Sequence, residues 1–367
     1  MRVLMLSKAL VIGAYQRKCE LIAMHPDVQL TVLVPPAWRT GDQLNHLERT
    51  HEQNYTLREI PIRFNGNFHL HHYPTLDREI RDLRPDVVHI DEEPYNFATW
   101  LALRSARSVR AKSLFFTWQN LNRVYPPPFS LFEQYALTHS DYAIAGNRDA
   151  TNVLRAKGYR EALSVIPQFG VDPEVFHIGA PRDHALFRVG YVGRLVREKG
   201  IDLLIRAVAE SPEVVHLDII GTGEEQTSLQ QLATHMNLFE RVRFLGAIPS
   251  MEVPARMAGF DVLVLPSITQ TNWKEQFGRV LIEAMACGVP VIGSTCGEIP
   301  NVIGDAGMIF TEGQQDELCR LIDYLLREPE VCNRYSALGR ARVLERYTMQ
   351  RIADETVDVY RSMLWRA

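Results

Sequence analysis

The chain has 367 residues, a length that favours two domains over one core, and its apolar (46%) and charged (23%) fractions are typical of a soluble globular protein. Its formal charge is −4; residues 1–175 carry 20 Lys and Arg against 19 Asp and Glu, and the remaining residues carry 20 against 25. Neither half is basic enough to form a nucleic-acid-binding surface, so no nucleic-acid partner is predicted.

The N-terminal run MRVLMLSKALVIGAY superficially resembles a signal peptide. Lys8 interrupts its apolar residues early, so we predict that the run forms a first β-strand and not an export signal. The five cysteines are odd in number and form no C-x-x-C pair, which favours reduced thiols in a cytoplasmic protein. No apolar run of the sequence is long enough to span a bilayer.

Short Val/Ile/Leu-rich runs alternate with amphipathic segments, a pattern typical of βαβ units with parallel sheets. In the first half we predict strands at Arg2–Ser7, Val28–Val34, Asp86–Ile90, Ser113–Thr117, Tyr142–Ala145 and Leu163–Pro167. Helices are predicted between most of them, for example at Pro74–Leu83 and Phe97–Val109. The Asn65-Gly66 pair favours a hairpin turn, so a local antiparallel exception is predicted there.

Segment Val171–Arg188 has no periodicity and is predicted to be a linker, after which the alternation restarts. The second set of predicted strands is Val189–Val192, Val214–Ile220, Val242–Leu245, Asp261–Leu265, Val289–Ile292 and Met308–Phe310. Helices are predicted at Ile201–Ala209 and Met251–Ala258, and throughout the tail from Gln315. This pattern predicts an α/β protein of two tandem Rossmann-like, doubly wound domains with a cleft between them, where ligands bind at the carboxyl ends of strands.

The motif GYVGRLVREKGID, residues 190–202, joins a predicted strand to a predicted helix. Backbone N–H groups and the helix dipole at such a junction bind anions. Arg194 adds a planar guanidinium and Lys199 a mobile ammonium, which together suit a diphosphate. Surface ion pairs with Glu198 and Asp202 are the alternative explanation of the two cations.

The segment KEQFGRVLIEAMACGVPVIG, residues 274–293, places Glu275 before a short predicted helix and Glu283 within that helix. An i,i+4 pair between Arg279 and Glu283 is the simplest explanation of the second carboxylate. The alternative is that both carboxylates accept hydrogen bonds from the hydroxyl groups of a phosphorylated sugar. The neighbouring turn GSTCGEIP, residues 293–300, is rich in glycine and hydroxyl groups, as such a ligand would require.

These motifs together resemble those of a known family. EQFGRVLIEAMACGVPVI is similar to the E-G-F-G-x-x-x-x-E-A-M-A-x-G-x-P-V-I signature of the family-4 retaining glycosyltransferases, and GRLVREKG is similar to their G-R-L-x-x-x-K-G. Matched motifs run in family order from about residue 86 to residue 310. The resemblance implies the GT-B fold, with an acceptor-side domain (1–175 plus a C-terminal helix at about 349–367) and a donor-binding domain (176–348).

The resemblance also implies roles for the matched residues. Arg194 and Lys199 would hold the donor diphosphate and stabilise it as the leaving group, and Glu275 would hold the transferred sugar, so these three are the predicted catalytic residues. Glu283 would hold the nucleotide ribose. The predicted donor-binding set is Gly13, Gly193, Phe277, Gly278, Arg279, Val280 and Glu283. The resemblance implies neither a metal nor a cofactor, since the nucleotide sugar is a co-substrate.

The sequence departs from the family pattern at several positions. Gln276 replaces a glycine of the signature, and Gln119 stands where the family tends to have histidine. The predicted acceptor-side or sugar-side residues are Glu92, Glu93, Gln119 and Asn120. For the two glutamates a solvated loop is the alternative. Three histidines (69, 71 and 72) lack the carboxylate or cysteine companions that a metal site requires.

The sequence therefore predicts a cytoplasmic, retaining hexosyltransferase that uses a UDP- or GDP-sugar, with a polysaccharide or a lipid-linked glycan as acceptor. Arg104, Arg107, Arg110 and Lys112 form either a solvated helix face or a contact with anionic lipid at the inner face of a membrane. A nucleotide-sugar epimerase of the same fold and a non-enzymatic, two-lobed sugar-binding protein are the alternatives. The base, the sugar, the acceptor and the oligomeric state stay open.

Overall fold

A computed structural model describes residues 1–41, 43–179 and 186–365. The chain divides into two compact units, one of Met1–Phe169 with Met349–Ala367 and the other of Gly170–Thr348. The sequence placed the first boundary after residue 175. Part of the predicted linker, residues 180–185, lies outside the described residues. Each unit is built on its own parallel sheet.

Nine strands lie in the described residues of the first unit. They are β1 (Arg2–Leu6), β2 (Gln29–Val34), β3 (Ala37–Thr40), β4 (Gln43–His46), β5 (Thr56–Glu59), β6 (Val87–Ile90), β7 (Lys112–Thr117), β8 (Tyr142–Ala145) and β9 (Ala162–Val165). Seven form a parallel sheet in the order β5-β2-β1-β6-β7-β8-β9. The N-terminal run is confirmed as a strand, and β1 pairs with β2 on one side and β6 on the other.

The antiparallel exception predicted around Asn65 is present only in part. Strands β3 and β4 form the antiparallel pair, whereas the segment around Asn65 makes a single antiparallel bridge between Arg63 and His72. The physical reason is that the Asn65 side chain binds β3 itself. Its oxygen accepts from the N–H of Arg39 at 2.9 Å, and its nitrogen donates to the carbonyl of Ala37 at 3.0 Å.

Outside residues 180–185, the second unit contains six strands. They are β10 (Phe187–Val192), β11 (Val215–Ile220), β12 (Val242–Gly246), β13 (Val262–Leu265), β14 (Val291–Ser294) and β15 (Met308–Phe310). They form a parallel sheet in the order β12-β11-β10-β13-β14-β15. Because the connections leave β10 toward one edge and reach β13 on its other side, the strand order reverses there, which is where doubly wound sheets bind ligands.

Thirteen α-helices lie in the described part of the chain. They are α1 (Arg17–Ala23), α2 (Leu76–Leu83), α3 (Phe97–Ser108), α4 (Phe129–His139), α5 (Arg148–Ala156), α6 (Ile201–Glu210), α7 (Gln226–His235), α8 (Val253–Ala258), α9 (Arg279–Ala286), α10 (Ile299–Ile303), α11 (Gln315–Arg327), α12 (Pro329–Arg346) and α13 (Met349–Leu364). The tail from Gln315 is helical as predicted, but it is divided into three helices: α11 ends before Pro329, because the residue before a proline disfavours the helical conformation. Among the described helices, none has both the length and the apolar character required to cross a membrane.

The sheets are buried on both faces, as parallel sheets require. In the first unit α13 packs against α1, and the fully buried side chains of Ile352, Val357 and Tyr360 join the core formed by β1, β2 and α1. The C-terminal helix is therefore a structural part of the first unit. Its burial follows from its amphipathic pattern, since a helix with one apolar stripe is stable only when that stripe is covered.

Candidate functional site

A cavity of about 320 Å³ lies in the second unit where β10 and β13 end. It is lined by Val192, Gly193, Arg194, Lys199, Leu265, Trp273, Glu275, Gln276, Gly278, Arg279 and Val280. Seven of these residues belong to the predicted catalytic and donor-binding sets: Gly193, Arg194, Lys199, Glu275, Gly278, Arg279 and Val280. The structure thus brings the two motifs identified in the sequence to one place.

The centre of the cavity is an ion pair between Lys199 and Glu275. The Lys199 Nζ lies 2.6 Å from Glu275 Oε2, and the Ser267 hydroxyl donates to the same oxygen at 2.9 Å. Glu275 is only 7% exposed, so a charged neighbour is needed to offset its lost hydration. The alternative in which Lys199 pairs with a glutamate or aspartate of its own motif is not what the structure contains.

Arg194 lies two residues after the end of β10 and is exposed on the wall of the cavity. A hydrogen bond from the core fixes the loop that carries Arg194: the hydroxyl of the buried Tyr191 donates to the Arg194 carbonyl at 2.9 Å. Burial raises the pKa of Tyr191 above its ordinary value, so this hydroxyl keeps its proton and remains a donor. The guanidinium of Arg194 and the ammonium of Lys199 therefore reach one cavity from a rigid base.

Helix α9 begins at the cavity. Gly278 precedes its first residue with a φ of +78°, a left-handed conformation in which other residues are strained. Arg279 Nε lies 2.8 Å from Glu283 Oε1, so the simple i,i+4 pair predicted for Glu283 is present. Burial raises the pKa of Glu283, although the Arg279 guanidinium acts in the opposite direction. Glu283 and Phe277 were predicted to bind the donor, but neither lines the cavity.

Sequence reasoning missed several lining residues, of which Trp273 is the largest. Its ring centroid lies 5.2 Å from Lys199 Nζ, close enough for a cation–π contact. Gln276, noted in the sequence as a departure from the family pattern, also lines the cavity with an exposed side chain. No periodicity distinguishes these two residues. Their position on either side of Glu275 was the feature of the sequence from which their place in the cavity could have been predicted.

The two predicted acceptor-side glutamates belong to the first unit and have different surroundings. Glu92 is buried, its side chain is paired with the Lys8 ammonium, and the His71 ring lies 3.5 Å away. Burial opposes ionisation of Glu92, but Lys8 and His71 outweigh it and lower the pKa to about 2. Glu92 is therefore a charged part of the interior, and its oxygens are occupied by the protein.

Glu93 is only half-buried and lies where β6 and β7 end. Its carboxylate accepts from the Thr117 hydroxyl at 2.6 Å and from the Trp118 N–H at 2.8 Å. Burial raises the pKa of Glu93 to about 7, and these two donors do not fully offset it. Of the two glutamates, Glu93 is the one whose position allows contact with a ligand.

The other predicted residues of the first unit are engaged within that unit. The Gln119 amide donates to Glu133 Oε1 at 3.2 Å and accepts from Lys157 Nζ at 2.9 Å, and Asn120 beside it is buried. The Gly13 N–H donates to Glu48 Oε2 at 2.6 Å. A carboxylate of the chain thus occupies the anion position that was predicted for phosphate at Gly13.

The histidines between residues 69 and 72 have structural partners. His69 packs against the Tyr95, Tyr125 and Phe129 rings at 4.8–5.8 Å, and the His72 ring lies 5.2 Å from Phe97. Within the described ranges, no group of three or more His, Cys, Asp or Glu side chains is arranged to hold a metal ion.

Comparison with known proteins identifies the family of both halves. Residues 26–175 match the family described as Glycosyltransferase Family 4, and residues 180–342 match the family described as Glycosyl transferases group 1. The chain is 31% identical to the GDP-mannose-dependent monoacylated alpha-(1-6)-phosphatidylinositol monomannoside mannosyltransferase of Corynebacterium glutamicum, over 56% of this chain and 59% of that protein. It is 26% identical to the D-inositol 3-phosphate glycosyltransferase of Stackebrandtia nassauensis, over 77% of this chain and 69% of that protein. The match to the Corynebacterium protein thus spans less than two thirds of that relative's length.

Solved structures share the fold. The Anabaena HepE protein in complex with UDP superposes with a TM-score of 0.77 at 20% identity, covering 99% of this chain and 100% of that one. Sucrose-phosphate synthase from Thermosynechococcus elongatus gives 0.75 at 19% identity, covering 100% of both chains. At such identities the likeness establishes the GT-B fold alone. With its two halves matching the two family descriptions in order, the chain belongs to the family-4, group 1 glycosyltransferases.

Proposed function

We propose that this protein transfers a sugar from a nucleoside-diphosphate donor to an acceptor hydroxyl, with retention of configuration and without a metal. The observation that carries the proposal is the partly buried Lys199–Glu275 pair, 2.6 Å apart in a cavity that Arg194 also lines. A diphosphate requires cations and a sugar requires acceptors for its hydroxyl groups. This cavity offers both groups side by side at the strand ends where α/β sheets bind ligands.

The proposed reaction breaks the bond between the anomeric carbon of the sugar and the terminal phosphate oxygen of the donor. A new bond forms between that carbon and the acceptor oxygen, and the acceptor proton passes to the departing phosphate. Arg194 and Lys199 stabilise the charge that develops on the diphosphate, which is commonly the largest catalytic contribution. Glu275 holds the sugar hydroxyls, and no side chain has to act as a base.

UDP and GDP are the proposed nucleotides. HepE was crystallised with UDP and with UDP-glucose, and the Corynebacterium relative is named for its dependence on GDP-mannose. A glucosyl or mannosyl group is therefore the proposed transferred group. Glu283, which we propose to contact the ribose as the family resemblance implies, is already partnered by Arg279, so its second carboxylate oxygen would make that contact.

The acceptor is proposed to be a polysaccharide or a lipid-linked glycan, bound by the first unit with Glu93 in contact with its hydroxyl groups. Two features of this unit support contact with anionic lipid. Arg104, Arg107 and Arg110 are exposed on or just after α3, and the Arg104 guanidinium lies 4.6 Å from the Trp100 ring. Leu131 of α4 is 65% exposed. Such a surface suits a protein that works at the inner face of a membrane.

The experiment that tests the proposal is a thermal-shift panel of UDP-, GDP-, ADP- and TDP-sugars, followed by turnover assays with the stabilising donor. A donor present at 100 times its Kd should stabilise the protein by about 2.7 kcal/mol. Lys199→Ala and Glu275→Ala should each lower turnover by about 10²-fold or more. Turnover should persist in excess chelator, and the product should keep the donor's anomeric configuration.

The two alternatives give different results in the same panel. A nucleotide-sugar epimerase would convert one nucleotide sugar to another with no acceptor present. A sugar-binding protein would be stabilised but would release no nucleotide in the presence of any acceptor glycan. Undiminished turnover in both alanine variants would refute the proposed roles of Lys199 and Glu275.

A further inference from the structure

Trp273 is the aromatic residue among those that line the cavity in the described part of the chain. Its side chain is half-buried, so one part of the ring is packed and another part faces the cavity. Tryptophan brings more apolar surface to a contact than the other apolar lining residues, Val192, Leu265 and Val280. A partly exposed ring beside the charged groups Lys199 and Glu275 needs an explanation.

The backbone that carries this ring is held in place on both sides. The Gln270 N–H donates to the Trp273 carbonyl at 2.8 Å, and the Trp273 N–H donates to the Gln270 carbonyl at 3.3 Å. Two residues later, the Glu275 N–H contacts Cys296 Sγ at 3.4 Å. The ring and the Glu275 carboxylate are therefore presented by one short, constrained segment, and a ligand does not have to order it.

The ring lies next to the groups that are proposed to bind the donor. Lys199 Nζ is 5.2 Å from the ring centroid and 2.6 Å from Glu275 Oε2. A pyranose ring attached to a diphosphate has hydroxyl groups at its rim and C–H groups on its faces. A carboxylate beside an aromatic ring matches both kinds of group, whereas the phosphate needs neither.

We infer that Trp273 contacts the transferred sugar and helps to select a hexopyranosyl donor, an inference that rests on the proposed function. The ring covers a C–H face of the sugar while Glu275 accepts its hydroxyl hydrogens. Gln276, on the other side of Glu275, lines the same cavity and provides an amide where the family signature has glycine. The sugar subsite of this chain is thus narrower and more polar than a glycine at residue 276 would leave it.

A different role for Trp273 would be to position the Lys199 ammonium through the cation–π contact. The two roles differ in which ligand they affect. A residue that positions Lys199 affects the nucleoside diphosphate and the nucleotide sugar equally, because both carry the phosphates. A residue that contacts the sugar affects only the affinity that the sugar adds.

The test measures Kd by calorimetry for UDP and UDP-glucose and for GDP and GDP-mannose, in the wild type, Trp273→Phe and Trp273→Ala. We expect Trp273→Ala to weaken the preferred nucleotide sugar about tenfold and its nucleoside diphosphate less than twofold. Trp273→Phe keeps an aromatic ring and should weaken the nucleotide sugar by less than half as much, on a logarithmic scale, as Trp273→Ala does. Trp365→Ala is the matched control, because Trp365 is 62% exposed and belongs to the first unit, one residue after the end of α13.

Intrinsic fluorescence provides a second readout that does not depend on the alanine variant folding. The nucleotide sugar should quench wild-type fluorescence more than the diphosphate does, and Trp273→Phe should abolish that difference. Equal weakening of both ligands, or no weakening of either, would overturn the inference while leaving the proposed function intact. A wild type that binds none of the four ligands would instead overturn the proposed function, and the inference with it.

Discussion

The Lys199 ammonium has three N–H donors and gives one of them to Glu275, so a phosphate that binds Lys199 has to share its charge with that carboxylate. Two unit charges 4 Å apart attract each other by about 4 kcal/mol at an effective dielectric constant of 20. In this pair the atoms are 2.6 Å apart, and Glu275 is 7% exposed. A nucleoside diphosphate therefore competes with Glu275 for the lysine, whereas a nucleotide sugar recovers part of the loss by bringing hydroxyl groups to Glu275.

The Glu275→Gln variant should raise the affinity for the nucleoside diphosphate and lower the additional affinity that the sugar of the donor provides. Without the carboxylate charge, Lys199 is held less strongly and a negative charge near the phosphates is removed, so the Kd for UDP or GDP should fall about tenfold, or 1.4 kcal/mol. The affinity that the sugar adds should shrink, and turnover should fall about 10²- to 10³-fold. The free energy of unfolding should drop by about 1–3 kcal/mol, less than the cost of breaking a fully buried pair, because the glutamine oxygen still accepts from the lysine.

The assay is calorimetric titration of wild type and variant with the diphosphate and with the nucleotide sugar, together with urea unfolding. Asp218→Asn is a matched control, because Asp218 makes a two-bond pair with Arg243 at 2.6 and 2.7 Å in the same unit and does not line the cavity. The control should lose stability and leave both affinities unchanged. A Glu275→Gln variant that binds the diphosphate more weakly than the wild type does would refute the competition argument.

Three other predictions concern the fold and the first unit. Because burial raises the pKa of Glu93 to about 7 from 4.5, the folded state keeps a proton that the unfolded state has lost in this window. The free energy of unfolding should therefore fall as the pH rises from about 4.5 to 7, and Glu93→Gln should remove about 1–3 kcal/mol of that fall; parallel urea profiles from pH 4 to 8 would contradict this. Gly200→Ala should lower the free energy of unfolding by more than about 3 kcal/mol, because φ is +63° and an added Cβ would lie 2.2 Å from a backbone oxygen. Gly313→Ala should lower it by only about 1 kcal/mol, because φ is +79° but no heavy atom lies within 4 Å of an added Cβ. Leu131→Glu should reduce sedimentation with phosphatidylglycerol vesicles at least fivefold, and Phe239→Glu, a control 72% exposed in the second unit, should not; equal effects would remove the lipid contact.

Much of the fold was predictable because parallel strands buried on both faces leave continuous apolar runs in the sequence. The predicted strands correspond to β1, β2, β6, β7, β8 and β9 in the first unit and to all six strands of the second. Strand β5 (Thr56–Glu59) was missed because it is a half-exposed edge strand with the sequence TLRE. It contains a single apolar residue and so leaves no apolar run in the sequence. Strands β3 and β4 were missed for the same physical reason, since their residues are largely polar.

The candidate site divides in the same way. Gly193, Arg194 and Lys199 follow one strand, and Glu275 follows another that pairs with it, so strand order alone predicts that they meet. The orientation of side chains is not available from such patterns. The sequence treated the two neighbouring glutamates of the first unit alike, and the difference between them depends on Lys8, which is 84 residues away in the chain.

Glu275 and Glu283 illustrate why sequence spacing identifies some partners and not others. The partner of Glu283 is four residues away on the same helix, and a helical period is enough to find it. The partner of Glu275 is 76 residues away and meets it only because β10 and β13 lie side by side. A local pair of the first kind can form in any helix and carries little information about function. A partly buried pair between segments that follow two different strands requires both strands to be in place. A cation held in this way inside a cavity is already positioned for an anionic ligand. The long-range pair is therefore the better guide to the chemistry of this site, although both glutamates are equally prominent in the motif.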